Sequence, residues 1–125
     1  KLYTHLYTFN ATVSGNADVG IYTLDGRLIT SSGSTVLTGT NVNQLYNVAD
    51  FLLGVGKFWL ALALNGISSS IAFTPALAAR AHAMAAYGIK TAPSSFPLPA
   101  TIDVTTPYTS TYTLPLFGAT ARGFV

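Results

Sequence analysis

Residues 54–66 read Gly-Val-Gly-Lys-Phe-Trp-Leu-Ala-Leu-Ala-Leu-Asn-Gly, the most apolar strand pattern in the sequence. Its two leading glycines suit a turn, and the mostly apolar residues 57–64 follow. These eight residues predict a strand roughly 26 Å long, at about 3.3 Å per residue. Alternation places Phe58 and three leucines on one face, and Trp59 with two alanines on the other. We expect the first face to pack in the core. The second face, with its small side chains, allows the close approach of a helix, a loop or another subunit. The stretch therefore predicts the central strand of a β-sandwich.

Further strand signals lie on both sides of this stretch. Residues 1–13 alternate and carry three aromatic side chains on one face within seven residues, which favours a strand. The dipeptides Asp25-Gly26 and Asn65-Gly66 suit the positive φ values of tight hairpin turns. The first predicts an antiparallel hairpin over residues 21–30, and the second predicts that residues 68–73 pair back on the central strand. Residues 35–40 and 41–48 are expected to form short strands or extended segments.

The pattern changes after residue 73. Thr74 and Pro75 suit the start of a helix and Gly88 its end, so the Ala-rich residues 76–87 predict a helix of about three turns. Five prolines within residues 91–115 lack the N–H donor that a central strand needs. We therefore expect an extended Pro-rich C-terminal arm over residues 91–125, with short edge pairings near residues 101–104 and 110–114. The prediction is a mainly all-β, antiparallel, jelly-roll-like β-sandwich with one helix.

Size and charge limit the classes of function. The chain has 125 residues, which suits one domain with one core. Charged residues make up only 8% of it, against about 25% in an average soluble domain. The six Lys and Arg residues are scattered singly, so no run could neutralise several phosphates and we expect no nucleic-acid partner. A half-apolar chain with so few charges is poorly suited to exist as a free monomer, which favours an obligate assembly.

Other absences in the sequence bear on location. The chain has no cysteine, which excludes a disulfide framework and thiolate metal sites. The most apolar run, residues 51–64, is interrupted by two glycines and Lys57 and is too short for a bilayer, so we expect no membrane insertion. The sequence opens with Lys1 rather than Met and begins inside a predicted strand, so an upstream piece is expected.

Three motifs together resemble a known class of proteins. Residues 19–29 read Val-Gly-Ile-Tyr-Thr-Leu-Asp-Gly-Arg-Leu-Ile, residues 56–66 read Gly-Lys-Phe-Trp-Leu-Ala-Leu-Ala-Leu-Asn-Gly, and Phe-Pro-Leu-Pro-Ala at residues 96–100 precedes Pro-Leu-Phe-Gly at 115–118. This combination resembles the small β-sandwich domains of tailed-bacteriophage virion proteins, in tail fibres, tail needles, spikes and head fibres. The resemblance implies a jelly-roll-like fold, a homotrimer and a distal position that meets the host surface. It supplies no catalytic residue.

Aromatic side chains are the candidate binding residues. Tyr and Trp bind sugars by stacking and also bury large areas at protein interfaces. The candidates for a glycan groove or a subunit seam are Trp59, Tyr3, Tyr7, Tyr108 and Tyr112. The alternative interpretation is that they only fill the core and the seams between subunits.

Catalytic and metal sites are not predicted. His5 and His82 lie in different elements, and the chain has no Cys or Glu to complete a metal site, so no metal or cofactor is expected. Hydrolysis would need paired carboxylates or a Ser-His-Asp set. Asp25 is explained as a turn residue, and no second acid is placed beside it. Residues 10–12 match a glycosylation sequon, but the pattern is short and often arises by chance.

Two functions from different classes remain. The first is a structural domain of a bacteriophage virion, located in the tail, the neck or the capsid surface. It is expected to form a homotrimer, to contact other virion proteins and to attach to the host surface, including its glycans. The second is a monomeric carbohydrate-binding module of a secreted bacterial protein. A glycan-degrading enzyme, the third possibility, would need two acidic side chains within roughly 10 Å in a cleft, and we predict that the protein is not an enzyme.

Overall fold

The computed structural model describes residues 1–66, 70–71, 73–75, 96–105, 113–115 and 117–121. These residues form an all-β, antiparallel structure and contain no helix. The strands are β1 (Leu2–Thr12), β2 (Asn16–Tyr22), β3 (Leu28–Ser31), β4 (Thr35–Val36), β5 (Val42–Leu52), β6 (Trp59–Leu64), β7 (Ser70–Ile71), β8 (Phe73–Pro75), β9 (Thr113–Pro115) and β10 (Phe117–Thr120). The predicted helix over residues 76–87 lies outside the described residues, as do Tyr108 and Tyr112.

One four-stranded sheet is built around β1. This strand pairs with β5 on one side and with β10 on the other, and the short strand β7 pairs with its end. The strand predicted over residues 1–13 is therefore confirmed. The segment predicted at residues 41–48 is part of a longer strand, β5, which continues to Leu52. Its pairing with β1 has a register shift between Tyr3 and His5.

A second four-stranded sheet is built around β2, which pairs with β3, β4 and β6. The hairpin predicted over residues 21–30 is confirmed. Gly26 has a φ of 89°, and its N–H donates to the carbonyl of Thr23 over 2.9 Å. A side chain at Gly26 would also meet the carbonyl oxygen of Ile102, so both the turn and this close approach require glycine.

The two sheets contribute to one buried core. Leu6 of β1 packs with Val19 and Ile21 of β2 and with Tyr46 and Phe51 of β5. Val19 and Ile21 alternate along β2 and therefore lie on the same face of the strand, which is the face toward this cluster. The coarse prediction of an antiparallel all-β fold is therefore confirmed for the described residues.

The position of β6 differs from the prediction. Within the described part of the chain β6 pairs with β2 alone, so it lies at an edge and not in the middle of the sheet. The predicted hairpin after it is also wrong, because Ser70 and Ile71 pair with β1. The physical reason lies at Asn65. Its side-chain Oδ1 accepts the N–H of Asn16 over 2.7 Å, and its own N–H donates to the carbonyl of Asn16, so Asn65 joins the end of β6 to the start of β2.

Residues 96–105, which we call the cover segment, lie against the second sheet. Its main chain bonds to the β2–β3 hairpin: the N–H of Leu28 donates to the carbonyl of Ala100 and the N–H of Ile102 donates to that of Gly26, each over 2.8 Å. Thr101 forms a β-bridge with Arg27, as the short edge pairing predicted near residues 101–104 requires. The cover segment closes the face of β2 that points away from the core.

Candidate functional site

Trp59, the first candidate binding residue, begins β6 opposite Tyr22 of β2. The indole is half-buried, and its Nε1 donates to the carbonyl of Leu24 over 3.3 Å. This bond fixes the ring against the β2–β3 hairpin. Trp59 therefore has a structural role in joining β6 to the hairpin, and only part of its surface is left for a ligand or a neighbouring subunit.

Tyr3 and Tyr7 do not act together as the alternation predicted. The register shift between Tyr3 and His5 breaks the pattern, so Tyr3 packs against the core and its ring stacks on Phe51, with the centroids 5.6 Å apart. Tyr7 follows buried Leu6 and thus lies on the other face of β1. There it is paired with Gly118, where a Cβ would come within 3.0 Å of the tyrosine ring.

A groove of about 430 Å³ opens where β1 begins and β5 gives way to β6. It contains one of the five candidate residues, Tyr3. The described residues that line it are Lys1, Tyr3, Leu53, Gly54, Val55, Gly56 and Phe58. Gly54 and Gly56, which precede the apolar run, therefore also shape a concave surface. The signal of this site in the sequence is the Gly-x-Gly between two apolar segments.

The described lining of the groove carries a positive charge and no acidic side chain. The ammonium group of Lys1 lies over the ring of Tyr3, with 6.0 Å between Nζ and the ring centroid. A cation over a tyrosine face is attracted by the negative potential of the ring. The arrangement can bind a negatively charged group at Lys1 and an apolar surface at Phe58.

A buried polar cluster lies between β2 and the cover segment, and the sequence did not reveal it. Asp18 is 1% exposed and accepts the N–H of Leu98 over 2.9 Å. The hydroxyl of Tyr22, on the same face of β2, donates to the carbonyl of Pro99 over 2.6 Å. Burial, together with the negative charge of Asp18, raises the pKa of the Tyr22 hydroxyl to about 12. These groups bind the cover segment to β2 and are inaccessible to solvent. A structural role fits this arrangement better than a catalytic one.

The other acidic residues have local partners or are exposed. Asp25 accepts a short hydrogen bond from the Thr23 hydroxyl, and this bond, with Arg27 at 3.3 Å, holds the carboxyl pKa below its usual range. Asp103 accepts both the N–H and the hydroxyl of Thr105, over 2.8 and 2.7 Å. Asp50 is exposed on β5. None of these contacts resembles a catalytic pair of carboxylates.

Asn10, the first residue of the sequon, is fully buried. Its Nδ2 donates to the carbonyl of Thr38 and to Oε1 of Gln44, over 2.9 and 2.8 Å. The hydroxyl of Thr8 donates to its Oδ1 over 2.7 Å. Both ends of the amide are thus occupied inside the fold, and the side chain is not accessible to a glycosylating enzyme in the folded protein.

Neither a metal cluster nor a membrane helix is found where the structure describes the chain. His5 bonds to the hydroxyl of Thr4 through Nδ1 over 2.7 Å, and no group of three or more metal-ligating side chains is assembled around it or elsewhere in these residues. His82 lies outside them. A search of the same residues for a helix with the length and hydropathy needed to cross a bilayer finds none.

Comparisons with protein families, with curated proteins and with solved structures find no match to this chain. The geometry of the described residues and the sequence motifs are therefore what a functional proposal has to rest on.

Proposed function

We propose that the protein is a structural domain of a bacteriophage virion, of the fibre or spike type, and that it assembles as a homotrimer which takes part in attachment to the host surface. In this proposal the two sheets form a jelly-roll-like β-sandwich, and the domain contacts other virion proteins. The motifs at residues 19–29 and 56–66 support it, as does a composition with 8% charged residues. Catalysis has no place in this proposal.

The observation that carries the assembly is the edge of β6. Natural edge strands avoid pairing with other chains by carrying charged side chains or proline. The six residues of β6, Trp-Leu-Ala-Leu-Ala-Leu, include neither. In the described part of the chain its only partner is β2, and Leu60 is 47% exposed. Such an edge presents main-chain donors and acceptors, which a strand of a second copy satisfies.

Apolar side chains elsewhere on the surface support the same proposal. Leu52 is 75% exposed and pairs with Leu2, which is 47% exposed, and Val55 is fully exposed in the loop that follows. Single exposed apolar residues are ordinary, but a cluster in a chain with so few charges favours contact with other subunits. The cluster lies beside the groove, at the end of β5.

The experiment that tests the proposal is the native mass by light scattering at micromolar concentration, repeated after mild acid or a low concentration of denaturant. We expect a trimer that persists under the mild treatments. A monomer under all of these conditions would contradict the proposal and would favour the second candidate function.

That second candidate is a monomeric carbohydrate-binding module, and the groove beside Tyr3 is the observation that favours it. Because Trp59 follows the groove residue Phe58 directly, its fluorescence is a suitable reporter. The module predicts that glycans change Trp59 fluorescence and raise the melting temperature while the mass stays that of a monomer. A trimer without any response to glycans would exclude it.

A further inference from the structure

We propose that the groove between the start of β1 and the β5–β6 loop binds an anionic saccharide, a sugar carrying a carboxylate or a phosphate group. The inference rests on the proposed attachment function and names the ligand class and the site. Two features of the groove carry it: a lysine ammonium 6.0 Å from the centroid of an aromatic ring, and an apolar floor beside it.

The ammonium of Lys1 is positioned for an anion. It lies 6.0 Å from the centroid of Tyr3, whose ring in turn stacks on the core residue Phe51. The tyrosine is thus fixed by the core, and its ring face attracts the exposed ammonium weakly at this distance. A carboxylate or phosphate oxygen that reaches the ammonium accepts a charge-assisted hydrogen bond, which is stronger than one between neutral groups.

The floor of the groove suits a sugar ring. Phe58 lines it with a partly exposed aromatic surface, and the CH face of a pyranose packs on such a surface. Gly56 lies beside this ring, since a Cβ added there would be 3.9 Å from it. A Cβ added at Gly54, which also lines the groove, would meet nothing within 4 Å, so the space above this main chain is open to a ligand.

The distribution of charge favours an anion over a neutral sugar. Two of the three Lys and Arg residues that the structure describes are at the groove or next to it: Lys1 lines it, and Lys57 lies in the loop between the lining residues Gly56 and Phe58. No acidic residue is among the described lining residues. The described lining of the groove therefore carries a net positive charge, through Lys1.

The test is a titration of the full chain, followed by calorimetry and Trp59 fluorescence, with three probes of matched length: an oligogalacturonate, a phosphorylated oligosaccharide and a neutral oligoglucoside. We expect binding of at least one anionic probe, weaker binding at high salt and no binding of the neutral probe. The two anionic probes separate a carboxylate from a phosphate ligand. Failure of both, or equal binding of the neutral probe, would overturn the proposal.

Variants locate the site. Lys1→Gln removes an exposed charge without affecting the core and should weaken anion binding by about tenfold or more, the loss expected for one charge-assisted hydrogen bond. Phe58→Ala should weaken it as well, with circular dichroism to confirm folding. Arg27→Gln is the matched control, because it removes the same charge from a residue that does not line the groove. Equal affinity of Lys1→Gln and wild type would place the binding elsewhere.

The native mass of the same samples separates this inference from the proposed function. A trimer that binds no anionic sugar would leave the assembly intact and overturn the ligand site. A monomer that binds the anionic probe through Lys1 would retain the site and contradict the assembly.

Discussion

At the scale of single residues, the decisive feature is the outer face of β2. Gly20 lies on this face between Asp18 and Tyr22, and a Cβ there would come within 2.7 Å of the Leu98 side chain. The glycine makes room for the cover segment, and the polar groups on either side bond to it. The cover segment buries this face of β2 and the core buries the other, so all six residues from Ala17 to Tyr22 are buried.

Alkaline pH should loosen this contact. Tyr22 has a pKa of about 12 in the folded protein, against about 10 when unfolded. The folded state therefore keeps the hydroxyl proton to a higher pH than the unfolded state does. The contribution of this pKa difference to the free energy of unfolding is fully present below about pH 10 and is lost as the pH rises from about 10 to 12. The expected loss is at most about 1.4 kcal/mol per pH unit. Urea unfolding across this range measures it.

Tyr22→Phe is the control for this prediction. The variant loses the hydrogen bond to Pro99, so it should be less stable by about 1 kcal/mol at neutral pH. Its stability should fall less steeply between pH 10 and 12 than that of the wild type. Part of the slope will remain, because burial also raises the pKa of Tyr46. Identical slopes in the two proteins would show that Tyr22 does not titrate as described.

The residue-level features that could be predicted are the local ones. The turn at Asp25-Gly26 followed from two adjacent residues, because the required φ is a property of the dipeptide. The role of Asp18 could not be foreseen, since its partner Leu98 lies 80 residues away in sequence. Tyr3 was assigned to the wrong face because a register shift leaves no trace in the alternation itself.

At the scale of elements, β6 shows the limit of pattern reasoning. Its apolar alternation correctly predicts a strand, and Leu62 and Leu64 do pack against buried clusters. The apolar composition of β6 also predicts a strand on each side of it. Among the described residues only one such neighbour is present, β2. Pairing depends on where the chain goes after Asn65, and a hairpin signal there competes with the bonds between Asn65 and Asn16.

Leu60→Lys tests whether β6 is an assembly edge. A lysine on an exposed edge strand opposes pairing with another chain, so we expect the native mass to fall to that of a monomer. Because Leu60 is already 47% exposed, the free energy of unfolding of the monomer should change by less than about 1 kcal/mol. Light scattering and urea unfolding measure the two effects.

The matched control is Leu24→Lys, at a residue with 56% exposure in the β2–β3 turn. It adds the same charge and removes the same apolar side chain away from the strand edge. The control should keep the mass of the wild type. A loss of assembly in both variants would indicate a general effect of charge, and no loss in either would exclude the β6 edge as the interface.

At the scale of the whole molecule, the described residues form two four-stranded antiparallel sheets that share a core, and a two-stranded sheet of β8 and β9. The chain as a whole has few charged residues. The class of fold followed from strand periodicity and turn dipeptides, which are short-range signals. Which strands become neighbours did not, because β1 and β10 are more than 100 residues apart in sequence. The same holds for the groove, which forms only when the start of β1 meets the loop after β5.

In the proposed homotrimer, β6 pairs with a strand of another copy of the chain. Amide hydrogen exchange of residues 59–64, measured in the wild type and in Leu60→Lys, tests it most directly. The amides that bond to β2 should exchange slowly in both proteins. Those on the opposite edge should exchange slowly in the wild type and rapidly in the variant, because only the assembly protects them. Equal exchange of the outer amides in both proteins, whether slow or fast, would contradict the claim.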